Sequence, residues 1–355
     1  MKIITCASFG ATGSSALSDL VSEYSNVHRM SDAEIRFLHD PDGISDLEFQ
    51  LVECHNRHNA GRAIKRFWRQ CQFNGGNRIH RRYERLFDGK YLELSRQYVD
   101  KLIDFTCKGW WDYDLLDKGD KRDLYVYRKK LEDRVLKVIP FTHKRVLDKE
   151  EMYFSHPSPE LFIDSTKEYV HALLEIANND GKEYIQVDQI VPSQNIDRYL
   201  RYFSDPIEVF VVDRDPRDIY VMEKVYYPIY YGSYNNDSVE DFCRKFLYYR
   251  KSGDPNKSMS SHIHRLQFED FIFNYEEVVD KVEKATGLLS ENHISQFKFL
   301  NPKRSVNNLH VWIEQPQLSK DIEYIEKQLP EYLYPFDQYE GKEILGIKDE
   351  NTVKF

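Results

Sequence analysis

Apolar and polar positions along the chain sort into two regimes. Toward both ends, short apolar runs alternate with stretches of helical periodicity. From about Glu48 to Glu150, long charged segments replace that alternation. The first run, Lys2 to Ser8 (KIITCAS), is apolar, partly β-branched and ended by glycine, which predicts a buried strand. Ser14 to Tyr24 then carries Ala16, Leu17, Leu20 and Val21 at helical spacing. The chain therefore opens as strand, small-residue loop (FGATGSSAL), helix. HDPDGISDLE (39–48) is turn-rich and leads into a helix cap. Segments such as Glu48–Phe73 and Tyr91–Thr106 read as helices. Ser158 to Asp180 has a strong helix start, with Ser158 to cap and Pro159 at the first helical position. KEYIQVDQIVP (182–192) reads as a strand and Asn195 to Phe203 as a short helix. IEVFVVDRDPRDIYV (207–221) gives a fully apolar strand, a charged turn and another helix. Strand–helix alternation of this kind predicts an α/β fold with a central parallel sheet flanked by helices, and a mostly helical insertion at 48–150.

Composition narrows the class. The 355 residues are 41% hydrophobic and 31% charged, as in a globular domain with a substantial core. No apolar run reaches the roughly 20 residues of a membrane span. The N-terminal apolar stretch is short, broken by Gly10 and Gly13 and followed by Asp19 and Glu23, unlike a secretory leader. The five cysteines (Cys6, Cys54, Cys71, Cys107, Cys243) are widely spaced and odd in number. They are expected to be buried reduced thiols of a cytoplasmic protein. A net charge of −9 disfavours nucleic-acid binding. Against that acidic background stands a basic cluster: Arg62, Lys65, Arg66, Arg69, Arg78, Arg81, Arg82 and Arg85. It reads either as a solvated helical face or as a grip for an anionic substrate.

The candidate chemistry lies at strand ends. In open parallel sheets, ligands bind at the carboxyl ends of the strands. Gly10 and Gly13 allow tight turns there. The amides of Gly10, Ala11, Thr12, Gly13, Ser14 and Ser15, with the hydroxyls of Thr12, Ser14 and Ser15, are donors for phosphate oxygens, and the helix behind them points its positive end the same way. The loop matches neither GxxxxGK[ST] nor GxGxxG. At the end of the later strand, Asp213, Arg214, Asp215, Arg217 and Asp218 crowd together, with Pro216 at a helix start. An arginine held there suits bidentate phosphate binding. Asp213 equally reads as a magnesium-binding carboxylate of an NTPase. His262, His264 and His310 have no metal-ligand spacing with carboxylates, so no metal site is expected.

SFGATGSSAL followed by VFVVDRDPRDIYV resembles the sulfotransferase superfamily, whose P-loop NTPase-like fold binds 3′-phosphoadenosine 5′-phosphosulfate (PAPS). RLQFEDFIFNYEEVVDKVEKATGL (265–288) resembles the family's segment near adenine. FLNPKRSVNNLHVW (299–312) resembles its late basic loop over the cofactor. The four elements occur in the family's order; 48–150 lies outside them. The resemblance implies that residues 10–15 hold the 5′ end, Arg214 (with Arg217 beside it) the 3′-phosphate, and that Phe268 packs near adenine. Lys303 and Arg304 would supply cations. Where the family places a basic loop residue this chain has Ala11 or Thr12, and Met222 stands near the family's serine. The resemblance implies transfer of a sulfuryl group to a hydroxyl, which needs a base on a strand end ahead of the arginine motif. Asp188 fills that place, or else caps a turn, and Gln189 would orient the acceptor. Asp164 and Lys167 form a second possible site if their stretch ends a strand, and His171 reads as a packed or surface histidine. Tyrosine-rich VYYPIYYGSYNND (225–237) reads as a sugar-stacking wall or a core edge, and the acceptor is read as a glycan or glycolipid. Two other readings stay open, a P-loop NTPase or kinase and a catalytically degenerate binder of glycan or protein. The oligomeric state is unspecified.

Overall fold

The computed structural model describes residues 1–30, 33–76, 82–109, 111–136, 150–226, 238–252 and 260–347. Seven strands occur among them: β1 Lys2–Cys6, β2 Val27–Arg29, β3 Phe105–Gly109, β4 Glu150–Phe154, β5 Tyr184–Asp188, β6 Ile207–Asp213 and β7 Ile263–Gln267. The chain forms two compact units. The first comprises Met1–His39, Leu86–Asp88 and Val170–Phe355, and the second Asp40–Arg85 and Gly89–Tyr169.

The first unit is built on a five-stranded sheet in the order β2-β5-β1-β6-β7, and all four pairings are parallel. The α/β architecture with a central parallel sheet is thus present. Ile3, Ile4, Val209, Phe210, Val211 and Val212 are buried, as expected of strands covered on both faces, which read as continuous apolar runs rather than alternating ones. Leu17, Leu20 and Val21 of the helix Ser15–Val21 join Phe271, Val278 and Val282 in one core cluster with Phe210 and Val212. A second cluster gathers Ile219, Tyr220, Phe242, Phe246, Val311 and Ile325. Counted along the chain within this sheet, the first strand lies between the third and the fourth. The chain leaves β1 toward one side and later returns to its other side. This leaves a crevice at the carboxyl end of β1, where parallel sheets hold ligands. Cys6 at that end is level with Asp188 of β5 and Phe210 of β6.

The second unit is helical, with a two-stranded antiparallel hairpin of β3 and β4. The expected long helix from Glu48 is divided. A short helix, Ile44–Glu48, continues as a π turn, Phe49–Glu53. A new helix, Arg57–Gly75, starts where the Asn56 side chain accepts the N–H groups of His58 and Asn59. Such a cap satisfies two orphan donors and favours the restart. The helix Tyr91–Leu102 stops short of Thr106, because Ile103 is extended and Phe105 begins β3. Gly61 lets Arg57–Gly75 lie against the hairpin backbone: a Cβ there would stand 2.6 Å from the Tyr153 carbonyl oxygen. Asp164 and Lys167 lie within the helix Pro159–Ala177, not at a strand end. No helix of the described residues is long and apolar enough to cross a membrane. All five cysteines are free, but only Cys6, Cys71 and Cys243 are buried; Cys54 and Cys107 are exposed, against expectation.

Candidate functional site

Residues 8–14 leave β1 in a tight turn. Ala11 (φ 61°) and Gly13 (φ 78°) both take the left-handed conformation. Gly13 has a second constraint, since a Cβ would come within 2.4 Å of the Phe268 ring. The Thr12 hydroxyl donates to the Phe9 carbonyl (2.9 Å), so it serves the turn itself. Ser8 is buried and its Oγ accepts the Val212 N–H (2.8 Å), which fastens the loop to β6. The N–H groups of Gly13, Ser14 and Ser15 have no hydrogen-bond partner among the described residues. These are the donors that a bound anion would satisfy.

The loop forms one wall of a cavity of about 740 Å³, within the range of ligand pockets. Ser8, Phe9, Gly10, Ala11 and Ser14 line it, and Gln189 comes from the turn after β5. Gln189 has a left-handed φ of 58°. Its side chain donates to the Ser8 carbonyl (3.1 Å), and its own carbonyl bonds the His39 ring (2.9 Å). Two turns of the sheet edge are thereby latched together. Aromatic surface comes from Phe242, Phe246 and Tyr249.

The cavity's charge comes from residues the sequence reading passed over. Arg250 and Lys245, on the helix Val239–Ser252, both line it. Arg250 is 9% exposed and grips Asp213 at the end of β6 bidentately, with Nε to Oδ2 at 3.0 Å and Nη2 to Oδ1 at 2.5 Å. Its guanidinium lies 4.5 Å from the Phe9 ring centre and 3.4 Å from that of Phe246. Lys245 is half-buried and has no hydrogen bond or ion pair among the described residues. It is a cation held at the cavity wall without a direct ion pair among the described residues, and its charge acts on Glu223 across the same wall. Glu223, in the π turn Met222–Tyr226, is the buried acid of the same wall. Glu34, Arg36 and His39 line the cavity as well, with Glu34 and Arg36 paired at 3.3 Å.

The expected site residues are divided between two places. Gly10, Ala11, Ser14 and Gln189 meet at the cavity. Asp188 is half-buried at the end of β5 beside Cys6 and is not part of the lining. Arg214 is 3% exposed. It donates to the Asn308 carbonyl, stands 3.7 Å from Asp218 and lies 4.7 Å from the Phe268 ring centre. Arg217 clasps Asp215 bidentately (2.9 and 2.8 Å), donates to Glu326 (2.8 Å) and lies 4.2 Å from the Trp312 ring centre. Lys303 is exposed, and Arg304 donates to the Phe299 carbonyl (2.6 Å). None of these four cations lines the cavity. Phe268 links the two places, touching Gly13 and Arg214 alike, and Asp213 links them again through Arg250 and the Arg214 N–H. His171 pairs with Asp205 at 2.6 Å.

In the helical unit, Arg62 donates to the Tyr113 carbonyl (2.7 Å), while Lys65 pairs with Glu150 (3.5 Å) and Arg66 with Asp42 (2.7 Å). Arg78, Arg81 and most of the tyrosine-rich run, from Tyr227 to Asp237, lie outside the described residues.

Burial raises three carboxyls of the first unit. Asp218 is pushed up to about 7 and Glu269 and Glu223 to about 8, mainly by loss of hydration. Arg214 opposes the shift at Asp218 and Glu269, and Lys245 and Arg250 oppose it at Glu223. A carboxyl raised in the folded state holds its proton where the unfolded chain has lost it. Its contribution to stability is complete below about pH 4 and is lost as pH rises toward 7–8. The melting temperature is therefore expected to fall between pH 5 and 8. Glu269→Gln should flatten that slope in thermal unfolding followed by circular dichroism.

No family model, no curated protein and no solved structure matches this chain.

Proposed function

We propose that the cavity is the donor and acceptor site of a sulfotransferase that passes a sulfuryl group from PAPS to a hydroxyl of a glycan or glycolipid. The observation that carries the reading is the meeting of the GATGSS loop and the uncommitted Lys245 on one cavity at the carboxyl end of a parallel sheet. Loop amides of Gly13, Ser14 and Ser15 hold the 5′-phosphosulfate by shape and hydrogen bonds. Lys245 takes the role that the family gives to a basic loop residue, neutralising the phosphate oxygen from which sulfate departs. Tyr249, an exposed ring with a hydroxyl, and the half-buried Phe9 ring suit a sugar acceptor. Arg214 reaches a 3′-phosphate only after the Asn308 carbonyl gives way, since that carbonyl and Asp218 now occupy it.

The NTPase reading is weaker on one geometric ground. Asp213, its magnesium ligand, already accepts from Arg250 through both oxygens and from the Arg214 N–H (2.9 Å). Calorimetry with 3′-phosphoadenosine 5′-phosphate, the desulfated donor, tests the choice. The expected result is micromolar binding that is independent of magnesium and stronger than binding of ATP. Absence of binding at millimolar concentration, or magnesium-dependent preference for ATP, overturns the proposal.

A further inference from the structure

Three carboxyls of the first unit are buried with raised proton affinity, yet they differ in what they face. Asp218 accepts the Val311 N–H (2.9 Å) and lies beside Arg214. Glu269 accepts the Asp215 N–H (2.8 Å) and is fully enclosed. Both are fastened into the structure away from the cavity. Glu223 is 7% exposed, lines the cavity, and makes no hydrogen bond or ion pair with any described residue.

The local backbone explains how an acid comes to stand there. The helix Pro216–Val221 passes at Met222 into a π turn. The wider turn inserts a residue relative to α-helical spacing, and such turns are frequent at functional sites. Met222 and Glu223 are both buried, whereas Lys224 turns to Tyr220 (2.6 Å) and Asp321 (3.6 Å). The π turn therefore sends the acid inward and the neighbouring base outward. Charged groups facing Glu223 are Lys245 and Arg250 from the helix Val239–Ser252. Glu34, Arg36 and His39 stand on the segment after β2 that lines the same cavity. The loop after β1 brings no charge.

We propose that Glu223, resting on the sulfuryl-transfer reading of this cavity, is the general base that takes the proton of the acceptor hydroxyl. The acceptor oxygen forms a bond to sulfur as the bond from sulfur to the bridging phosphate oxygen breaks. The leaving phosphate oxygen keeps the electron pair, facing Lys245. The hydroxyl proton passes to a Glu223 carboxylate oxygen and is returned to water after the products leave. Burial pushes this carboxyl up to about 8, which makes its anion a stronger base than an ordinary carboxylate and matches it to a near-neutral working pH. Asp188, the base expected from the sequence, is the competitor, half-buried at the end of β5.

The test compares wild type, Glu223→Gln and Asp188→Asn. The donor is PAPS, with water and methyl β-galactoside as acceptors. Nucleotide binding is followed by calorimetry with 3′-phosphoadenosine 5′-phosphate in two buffers of different ionisation heat. Glu223→Gln is expected to bind the nucleotide within about threefold of wild type and to lose about 10²–10⁴-fold in turnover. It should also lose the rise of turnover between pH 6 and 8, and the proton uptake on nucleotide binding at pH 8. Asp188→Asn should keep all three properties. Retained turnover with an unchanged pH profile in Glu223→Gln overturns the assignment, as does loss of the pH limb in Asp188→Asn alone. A wild type that binds nucleotide without proton uptake and turns over neither acceptor also overturns it. Failure of the wild type to bind the nucleotide at all overturns the sulfotransferase reading itself, a result distinct from the others.

Discussion

Lys245→Ala is expected to lower sulfuryl transfer by about 10²–10³-fold while the melting temperature stays within a degree or two of wild type. The two halves of this expectation come from separate observations. Lys245 is half-buried, not part of the core, and unpaired among the described residues. Removing it breaks no hydrogen bond or ion pair among the described residues. It takes one opposing charge from Glu223, which keeps Arg250 and answers by holding its proton more tightly, so the change in stability stays small, about 0.5 kcal/mol. Its ammonium nevertheless lines a cavity whose first loop contains no basic residue. On the proposed sulfuryl-transfer reading, charge that builds on the leaving phosphate oxygen would have this group to meet it. Losing one preorganised stabilising group costs about two to three orders of magnitude in other enzymes. Turnover of PAPS by the variant, with thermal unfolding alongside, checks both halves. Lys245→Arg should restore part of the rate, since the charge is kept but the compact ammonium is replaced by a planar fork. A variant with wild-type turnover would remove Lys245 from the chemistry.

Arg250→Ala should have the opposite profile: a stability loss of about 3 kcal/mol, read from denaturant unfolding, before any effect on binding is considered. Arg250 and Asp213 are 9% and 20% exposed, and they are joined by two hydrogen bonds. Breaking a buried pair from one side leaves a charge without its counterion and typically costs about 3–5 kcal/mol. The lower end applies because Asp213 keeps the Arg214 N–H and some access to water. The variant also empties the space between Phe9 and Phe246. Arg250→Met separates these contributions. It refills the space with an apolar chain but still strands Asp213, so it should recover only the packing share. The double variant Arg250→Met, Asp213→Asn should recover most of the rest. A loss below 1 kcal/mol in Arg250→Ala would show that the pair is solvated in solution.

The sheet was legible in the sequence because its strands are buried on both faces. IITC and VFVV have no alternation to lose, and each ends at a glycine or a charged turn. The turn after β1 was legible because its glycines break the apolar run, and Gly13 does take a left-handed φ of 78° there. The hairpin of β3 and β4 was not. FTCKG carries no clean alternation, its first four residues are exposed, and its partner lies more than 40 residues downstream. The cations of the site were missed for a different reason. Lys245 and Arg250 sit on a helix some 235 residues from the loop they face. Helical periodicity shows which face of that helix is apolar, since Phe242 and Phe246 are buried, but not which distant loop its charged edge approaches. Glu223 was hidden by the π turn. Ordinary α-helical spacing cannot reveal a side chain whose direction is set by one inserted residue. One signal was available: Asp213 ends an apolar strand, and a carboxylate there requires a cation from elsewhere in the chain.

The position of β5 in the sheet bears on how this protein comes to be made. Lys2 of β1 pairs with Tyr184 of β5, and β2 pairs with β5 alone. At about 5–20 residues per second of synthesis, roughly 10–40 s separate the emergence of β1 from that of its neighbour. Throughout that interval β1 is an apolar segment with neither edge partnered, and β2 has no strand to join. Most of the second unit, which ends at Tyr169, is made during the wait, while the sheet cannot begin. Closing so long a span is slow, and the nascent chain must be kept from pairing with other strands until Tyr184–Asp188 arrives. The turn that opens the sequence is thus made first and enclosed last, because its crevice needs the strands on both sides of β1.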